Sequence, residues 1–164
     1  MVKKNFIEQF VASGVGLIEK ETKVTIQGVK DEPGTAGFIF TKLAEAGINV
    51  DMIVQSSSRQ GKNDISFTVM EEELRKVKEI MEKIKQKLKA EIIYDADISK
   101  ISLVGAGMRS HPGVAARMFT CLGKGEINID MISTSEIKIS CVVKRKDSRK
   151  AVRIIHQEFQ LDKE

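Results

Sequence analysis

The feature that most constrains the fold of this 164-residue chain is an internal repeat. The run KVTIQGVKDEPGTAGFIFTKLAEAGINVDMI, which begins at Lys23, returns as KISLVGAGMRSHPGVAARMFTCLGKGEINIDMI from Lys100. A constant offset of 79 residues relates the later positions of the two runs, including Pro33/Pro112, Phe40/Phe119, Leu43/Leu122, Asn49/Asn128 and Asp51/Asp130. The two lysines are only 77 residues apart, so the turn of the second copy is two residues longer. A repeat on this scale predicts two like domains.

Each copy has the pattern of a strand, a Pro-Gly turn, a helix and further strands. In the first copy, Val24 and Ile26 alternate with polar residues as in a half-buried strand, and Pro33 is expected at the first helical position. The helix that follows is expected to bury Ala36, Phe40, Leu43 and Ala44 and to stop at Gly47. Strands are then predicted over 48–55, 64–70 and 91–94, with a long helix over 71–90. The resulting order is βαββαβ.

The second copy predicts strands from Lys100, over 127–134 and over 138–144, and a final helix through Phe159, but it ends too soon for a fourth strand. A spare strand, over 11–21, precedes the first copy. We expect it to complete the sheet of the second domain, because an unpaired edge invites aggregation. The predicted domains are 22–98, and 11–21 plus 99–164, after a lead of residues 1–10. The fold class is α+β, with two ferredoxin-like βαββαβ domains packed together.

Composition argues against several classes of function. Charged residues make up 30% of the chain and are mixed in sign, and the net charge is only +4, so neither disorder nor a nucleic-acid-binding surface is expected. No apolar run approaches the roughly 20 residues that span a bilayer, and no signal peptide is recognisable. Cys121 and Cys141 are expected to be reduced core cysteines of a cytoplasmic protein. His111 and His156 have no cysteine or carboxylate at ligand spacing, so no metal or other cofactor is expected.

The Pro-Gly turn of the first copy has the chemistry of an α-amino-acid receptor. A helix N-terminus presents free N–H groups that suit a carboxylate, and Asp31, just before the turn, could take an ammonium group. Gln55 and the small Ala36 could shape a side-chain pocket. Alternatively, Asp31, Pro33 and Gly34 provide only loop and cap chemistry. The residues alone leave both interpretations open.

The turn of the second copy differs in chemistry. Ser110 takes the place of Asp31, so the ammonium receptor is missing there unless Glu136 supplies it. Ser110 and His111 lack an apparent third member of a catalytic triad. Gly105 and Gly107 suggest a dinucleotide-binding loop, but the third glycine of that motif would fall at Ser110, so the match fails.

Taken together, these residues resemble the C-terminal regulatory region of aspartate kinase, a tandem pair of ACT domains. The motifs that carry the resemblance are VTIQGVKDEPGTAG, AGINVDMIVQ, ISLVGAGMRSHPGVAARMF, EINIDMISTSEIKIS and HQEFQL, spanning about residues 11–161. The joint occurrence of VGAGMRSHPGV and INIDMISTSEI is highly specific. The kinase domain, in which the aspartate kinase activity resides, is not in this sequence. We therefore expect either a natural regulatory β subunit or an excised fragment.

The resemblance implies a non-catalytic allosteric subunit for feedback inhibition of aspartate-family amino-acid biosynthesis. Its implied effectors are threonine and, in many members, lysine, and its implied partners are an aspartate kinase catalytic subunit and a second copy of itself. The implied threonine site comprises Asp31, Gly34, Thr35, Ala36 and Gln55 on one side and Asn128 and Ile129, commonly of the partner chain, on the other. A second site would comprise Ile48, Asn49, Met108, His111, Gly113, Val114, Ala115, Ser135 and Glu136. The last two lie where the family places contacts for lysine sensing or for transmission to the kinase.

One alternative from another class is an RRM-type nucleic-acid-binding module, because βαββαβ is also the topology of that module. RRM modules stack bases on aromatic residues of the sheet. Here the candidate central strands carry only Phe67. A free-standing enzyme is disfavoured for want of a nucleophile–base set.

Overall fold

The computed structural model describes residues 12–108 and 111–161. The described chain divides into two compact units. The first-repeat unit is Lys20–Asp97, and the second-repeat unit comprises residues 12–19 and 98–161. The lead over residues 1–10, which the sequence predicts, lies outside the described residues, as does Ser110.

The elements in chain order are β1 (Gly14–Lys30), α1 (Thr35–Glu45), β2 (Ile53–Gln55), β3 (Lys62–Met70), α2 (Leu74–Leu88), β4 (Glu91–Val104), α3 (Val114–Lys124), β5 (Met131–Thr134), β6 (Lys138–Lys144) and α4 (Ser148–Phe159). One 3₁₀ turn precedes α2 and another precedes α4. The first copy therefore follows the βαββαβ pattern, and the second follows βαββα, with the N-terminal part of β1 as its remaining strand. The predicted fold class is confirmed.

In the first-repeat unit, the strand order is β2-β3-β1-β4. Val24 and Ile26 of β1 lie opposite Phe67 and Ile65 of β3, and all four side chains are at most 2% exposed. This is the alternation that the sequence predicts for half-buried strands. The helices cover the same apolar face with Ile39 and Leu43 of α1 and Val77, Met81 and Ile84 of α2.

In the second-repeat unit, the strand order is β1-β4-β6-β5. The backbone N–H of Ser13 donates to the carbonyl of Val104 at 2.7 Å, and the Ser99 hydroxyl donates to the carbonyl of Glu19 at 2.8 Å. The N-terminal part of β1 is thus an outer strand of this sheet, as predicted.

The helices of the second-repeat unit are joined through Arg117. Its Nε donates to Oε1 of Glu158 at 3.0 Å, and its guanidinium lies 4.6 Å from the centre of the Phe159 ring. These contacts connect α3 to the end of α4, whose other buried residues include Ala151 and Ile155.

Both units contain a matching cross-strand pair of hydroxyl groups. Thr25 and Ser66 are 2.9 Å apart in one unit, and Ser102 and Ser140 are 2.7 Å apart in the other. Each pair lies in register between the first and third strands of its copy. Because each hydroxyl has a partner, the sheets tolerate these polar groups at little cost.

Two strand predictions were wrong in length. The separate strands predicted over 11–21 and 23–29 are a single strand, β1, and those predicted over 91–94 and from Lys100 are a single strand, β4. The register of β1 explains why the strand is continuous, since Glu21 and Thr22 already pair with Met70 and Val69 of β3. The ladder therefore continues without a break where the sequence suggested a boundary.

The strands after α1 and α3 are shorter than predicted. They begin at Ile53 and Met131, not at residues 48 and 127. The backbone N–H of Met52 donates to the Thr68 hydroxyl at 3.2 Å, and the Thr68 N–H donates to the Met52 carbonyl at 3.0 Å. The backbone N–H of Asp51 donates to the Thr68 carbonyl at 3.0 Å. These segments approach the neighbouring strand irregularly, although their apolar residues Ile48 and Met52 are buried as expected.

The start of α1 also differs from the prediction. Pro33 is not the first helical residue, because Gly34 is the N-cap and Thr35 begins the helix. The buried stripe consists of Ile39 and Leu43, with Phe40 half-buried, whereas Ala36 and Ala44 are exposed. The predicted stop at Gly47 is confirmed by its φ of 71° and by its N–H bond to the carbonyl of Ala44.

Among the described residues, no helix is both long enough and apolar enough to cross a bilayer. Both cysteines are free and buried. Burial and the nearby Cys121 raise the pKa of Cys141 from 9.0 to about 12.

The raised pKa of Cys141 predicts a loss of stability in alkali. The folded protein holds this proton more tightly than the unfolded chain, so the contribution to stability is complete below pH 9.0 and is lost as the pH rises toward about 12. We expect the difference in unfolding free energy between the wild type and Cys141→Ala, measured by urea denaturation, to shrink as the pH rises through that window. A constant difference across the window would contradict the shift.

Candidate functional site

The loop between β1 and α1 presents Asp31 beside a helix N-terminus. Nζ of Lys30 lies 2.6 Å from Oε2 of Glu32, and this hydrogen-bonded pair raises the pKa of Lys30. The Asp31 carboxylate takes no part in that pair. Among the described residues Asp31 forms no ion pair, and its side chain is exposed. The loop therefore offers a solvent-accessible carboxylate to a cation.

The first turn of α1 offers N–H groups to an anion. Gly34 has φ 92° and ψ −15°, and no side chain forms a capping hydrogen bond at this helix end. The ladder of the helix starts with the N–H of Phe38, which donates to the carbonyl of Gly34 at 2.9 Å. The helix start thus keeps the partial positive charge and the N–H groups that suit a carboxylate.

Asp31 is held in place by β3 and the hairpin before it. Its backbone N–H donates to the carbonyl of Gly61 at 2.9 Å, and Nδ2 of Asn63 donates to its Oδ1 at 3.2 Å. Asn63 is not among the predicted site residues. The predicted strand begins at residue 64, which leaves Asn63 in the hairpin, whereas the structure places it on the inward face of β3 with Ile65 and Phe67.

Gln55 lies at the same end of this sheet as Asp31. It is the last residue of β2 and lies opposite Ile65, two residues from Asn63. Asp64 of β3 is hydrogen-bonded to both neighbouring strands. Its Oδ1 accepts from the N–H of Gly28 in β1 at 2.9 Å, and its N–H donates to the hydroxyl of Ser56, just after β2, at 2.9 Å. The structure thus places Asp31, Gly34, Thr35, Ala36 and Gln55 in one unit, at one end of its sheet and the adjoining helix start.

The second predicted site is centred on a cavity of about 250 Å³ within the second-repeat unit. Seven of the nine residues predicted for this site line the cavity, namely Met108, His111, Gly113, Val114, Ala115, Ser135 and Glu136. The cavity is also lined by three residues that were not predicted as site residues, Pro112, Thr134 and Ile139. The volume lies just below the range of about 300–1,000 Å³ that holds drug-sized ligands, so it suits a smaller molecule.

His111 fixes the rim of this cavity. Its Nδ1 lies 2.8 Å from the carbonyl of Gly107, which requires the proton to sit on Nδ1. The hydrogen bond therefore joins His111 to Gly107. Gly113 repeats the geometry of Gly34, with φ 96° at the N-cap of α3 and no side-chain cap.

Each predicted site also has two residues that lie in the other unit of the chain. Asn128, which is exposed, and Ile129, which is half-buried, precede β5 in the second-repeat unit. Ile48, which is buried, and Asn49, which is exposed, follow α1 in the first-repeat unit. Within a single unit, the structure therefore brings together only part of each predicted set.

The aromatic residue on which an RRM-type surface would depend is unavailable for base stacking. Phe67 is 0% exposed and packs edge-to-face on Phe40, with ring centres 5.6 Å apart. It belongs to the core of the first-repeat unit, so the nucleic-acid alternative has no support from the sheet.

Comparison with known proteins supplies the family. The ACT domain family matches residues 24–84 and 101–159. The ligand-free regulatory subunit of aspartate kinase from Thermus thermophilus is 36% identical, with a TM-score of 0.86, and the match covers 91% of this chain and 99% of that one. The chain belongs to the ACT-domain regulatory family of aspartate kinases.

Other relatives agree with this assignment. The structure of the aspartokinase alpha and beta subunits contains a chain 40% identical to this one, with a TM-score of 0.85, and the match covers 92% of this chain and 99% of that one. The aspartokinase of Helicobacter pylori is 45% identical over 156 residues, which cover 95% of this chain. The present chain spans only 38% of the length of that curated relative.

Because Gly34 has a positive φ and Gly37 lies within α1, alanine substitutions at these two positions are expected to change the unfolding free energy in opposite directions. Gly34→Ala forces a side chain into left-handed backbone geometry, which is expected to lower the unfolding free energy by about 1 kcal/mol. Gly37→Ala, on the exposed face of α1 with no atom near the new Cβ, is expected to raise it by up to about 1 kcal/mol. Urea denaturation of the two variants checks both signs. Equal effects would show that the turn does not depend on glycine.

Proposed function

We propose that this chain is the non-catalytic allosteric subunit of an aspartate kinase and that it binds threonine at the turn around Asp31. The observation that carries the proposal is the exposed Asp31 carboxylate, which makes no ion pair among the described residues and lies next to an uncapped helix start. An ammonium receptor beside a carboxylate receptor matches the two charged groups of a free α-amino acid. The effect on the kinase is feedback inhibition of aspartate-family biosynthesis.

The proposed pocket is shared between two copies of the chain. Asp31 accepts the ammonium group of threonine, and the N–H groups that follow Gly34 bind its carboxylate. Ala36 leaves space for the side chain of the ligand, to which Gln55 offers a hydrogen bond. Asn128 and Ile129 of a second copy close the site through their backbone groups.

The cavity in the second-repeat unit is the proposed second effector site. Its lining lacks the counterpart of Asp31 in sequence, so Glu136, an exposed carboxylate on the rim, is the proposed ammonium acceptor. Lysine is the second candidate ligand there, because its additional ammonium group would also favour an acidic rim. Ile48 and Asn49 of a second copy would complete this site.

The proposed partners are an aspartate kinase catalytic subunit and a second copy of the chain. One solved relative is described as aspartokinase alpha and beta subunits, which supports a separate catalytic partner. The outer strands β2 and β5 expose Ile53 and Ile132 by 50% and 44%, as expected for edges that meet another sheet. The two buried free thiols accord with a cytoplasmic location.

Regulation requires the effector to bind one arrangement of the assembly more tightly than another. A ligand with equal affinity for both arrangements shifts nothing, however tightly it binds. A site divided between two copies meets this condition, because only the paired arrangement presents every group to the ligand.

Threonine binding is the direct test of the proposal. L-threonine at about one hundred times its Kd should raise the unfolding free energy by roughly 2.7 kcal/mol, seen as a rise in Tm. Asp31→Ala should weaken binding at least about a hundredfold, because the ammonium group loses its counter-charge. Glu45→Gln removes an exposed charge at the other end of α1 and should leave binding unchanged. If neither threonine nor lysine at millimolar concentration moves the Tm, the proposed function is wrong.

A shared site also predicts that the ligand strengthens self-association. The apparent dissociation constant of the dimer, measured by analytical ultracentrifugation, should fall when L-threonine is present. Asp31→Ala should remove this dependence on threonine without preventing dimer formation. Threonine binding with no change in the dimer constant would place the whole site within one copy.

A further inference from the structure

Asn63 is an amide in an otherwise apolar position. It is 6% exposed, and it precedes Ile65, Phe67 and Val69 on the inward face of β3. A buried amide lowers stability unless its polar atoms are hydrogen-bonded. A leucine, whose side chain has the same branched shape, would be the expected residue if this position served only the core.

Only the nitrogen of the Asn63 side-chain amide has a hydrogen-bond partner among the described residues. Nδ2 donates to Oδ1 of Asp31 at 3.2 Å, while Oδ1 of Asn63 is buried and has no partner among the described residues. The reverse orientation of the amide would place its oxygen against the carboxylate. The side chain is therefore oriented by Asp31 and remains half-satisfied, at a cost to stability.

The hydrogen bond from Asn63 also restricts the movement of the exposed Asp31 side chain. The backbone N–H of Asp31 is bound to Gly61, and its Oδ1 is bound to Asn63, so both the main chain and the carboxylate are held from β3 and its hairpin. The second carboxylate oxygen has no partner among the described residues. A carboxylate held in this way loses little conformational freedom when it accepts a cation.

The second copy of the repeat lacks both members of this pair. Alignment of the strands on Ile65-Ser66 and Ile139-Ser140 sets Asn63 against Ile137, and Ser110 takes the place of Asp31. Ile137 precedes β6 and is 56% exposed, so the second-repeat unit has no buried amide at this position. The copy that has the acid at the turn therefore also has the buried amide, and the copy that lacks the acid lacks the amide.

We propose that Asn63 is a positioning residue of the effector site, which holds the Asp31 carboxylate ready to accept the ammonium group of an α-amino acid. This inference rests on the proposed function, because it assigns Asn63 a role only if Asp31 binds an effector. It predicts that removal of the amide lowers the affinity for the effector without lowering the stability of the empty protein.

The test compares Asn63→Leu with Thr22→Val in the full chain by calorimetric titration with L-threonine. Thr22 is also fully buried in the first-repeat unit, and its Oγ1 likewise has no partner among the described residues. Both substitutions remove one unsatisfied buried oxygen, but only the first removes a contact to Asp31. We expect Asn63→Leu to weaken threonine binding about tenfold. We expect Thr22→Val to leave binding unchanged, and neither variant to lower the Tm of the ligand-free protein.

A second measurement separates action through Asp31 from a general structural effect. In the background of Asp31→Ala, whose residual binding can be followed by NMR titration at millimolar ligand, Asn63→Leu should cause no further loss. Asn63→Ala provides the same comparison if the leucine variant does not fold. An additional tenfold loss in that background would mean that Asn63 does not act through Asp31, and the inference would be overturned.

The outcomes distinguish this inference from the proposed function. If the wild type binds threonine and Asn63→Leu binds it equally well, the positioning role is wrong and the proposed function stands. If Thr22→Val is weakened as much as Asn63→Leu, the effect is not specific to the pair and the role is again wrong. If the wild type binds no threonine, the threonine proposal is wrong and this inference is overturned with it.

Discussion

The pairing of β1 with β4 is the interaction on which each unit depends. In the first-repeat unit, β4 covers the side of β1 that β3 leaves open, and in the second-repeat unit, β1 covers β4 on the side away from β6. The contact is distant in sequence, since Ser13 and Val104 are 91 residues apart. Bringing such segments together carries a loop-closure cost that only the completed sheet and its core repay. The second-repeat unit therefore depends on residues that precede the first repeat.

Much of this fold could be predicted because its signals are local. The alternation around Val24 and Phe67 and the glycine stop at Gly47 each arise within a few residues, and the structure contains them. The errors occurred where tertiary contacts decide the outcome. The unbroken ladder at Thr22 and the irregular approach of Met52 to Thr68 depend on a partner strand, which periodicity along one segment does not reveal.

The candidate site was predictable to a different degree. Asp31 and the Pro-Gly turn are visible in the sequence because their chemistry is carried by adjacent residues. The bond from Asn63 to Asp31 spans 32 residues, and a two-residue error in the start of β3 concealed it. One signal was available: extending the period of Ile65, Phe67 and Val69 back by two residues places an amide on the buried face. A polar residue that continues an apolar stripe needs a partner, and that partner identifies the site.

The difference between the two copies follows from the energetics of this pair. A buried amide half-satisfied by a carboxylate lowers stability, so it is tolerated only where holding that carboxylate has a use. Once Ser110 replaces the acid, an inward-facing amide would have no charge to hold and would only destabilise the sheet. The second copy has Ile137 instead, and its cavity is bounded by His111 and Glu136. The two turns share the uncapped glycine at the helix start, and the proposal assigns cation binding to the first of them because only that turn has the acid–amide pair behind it.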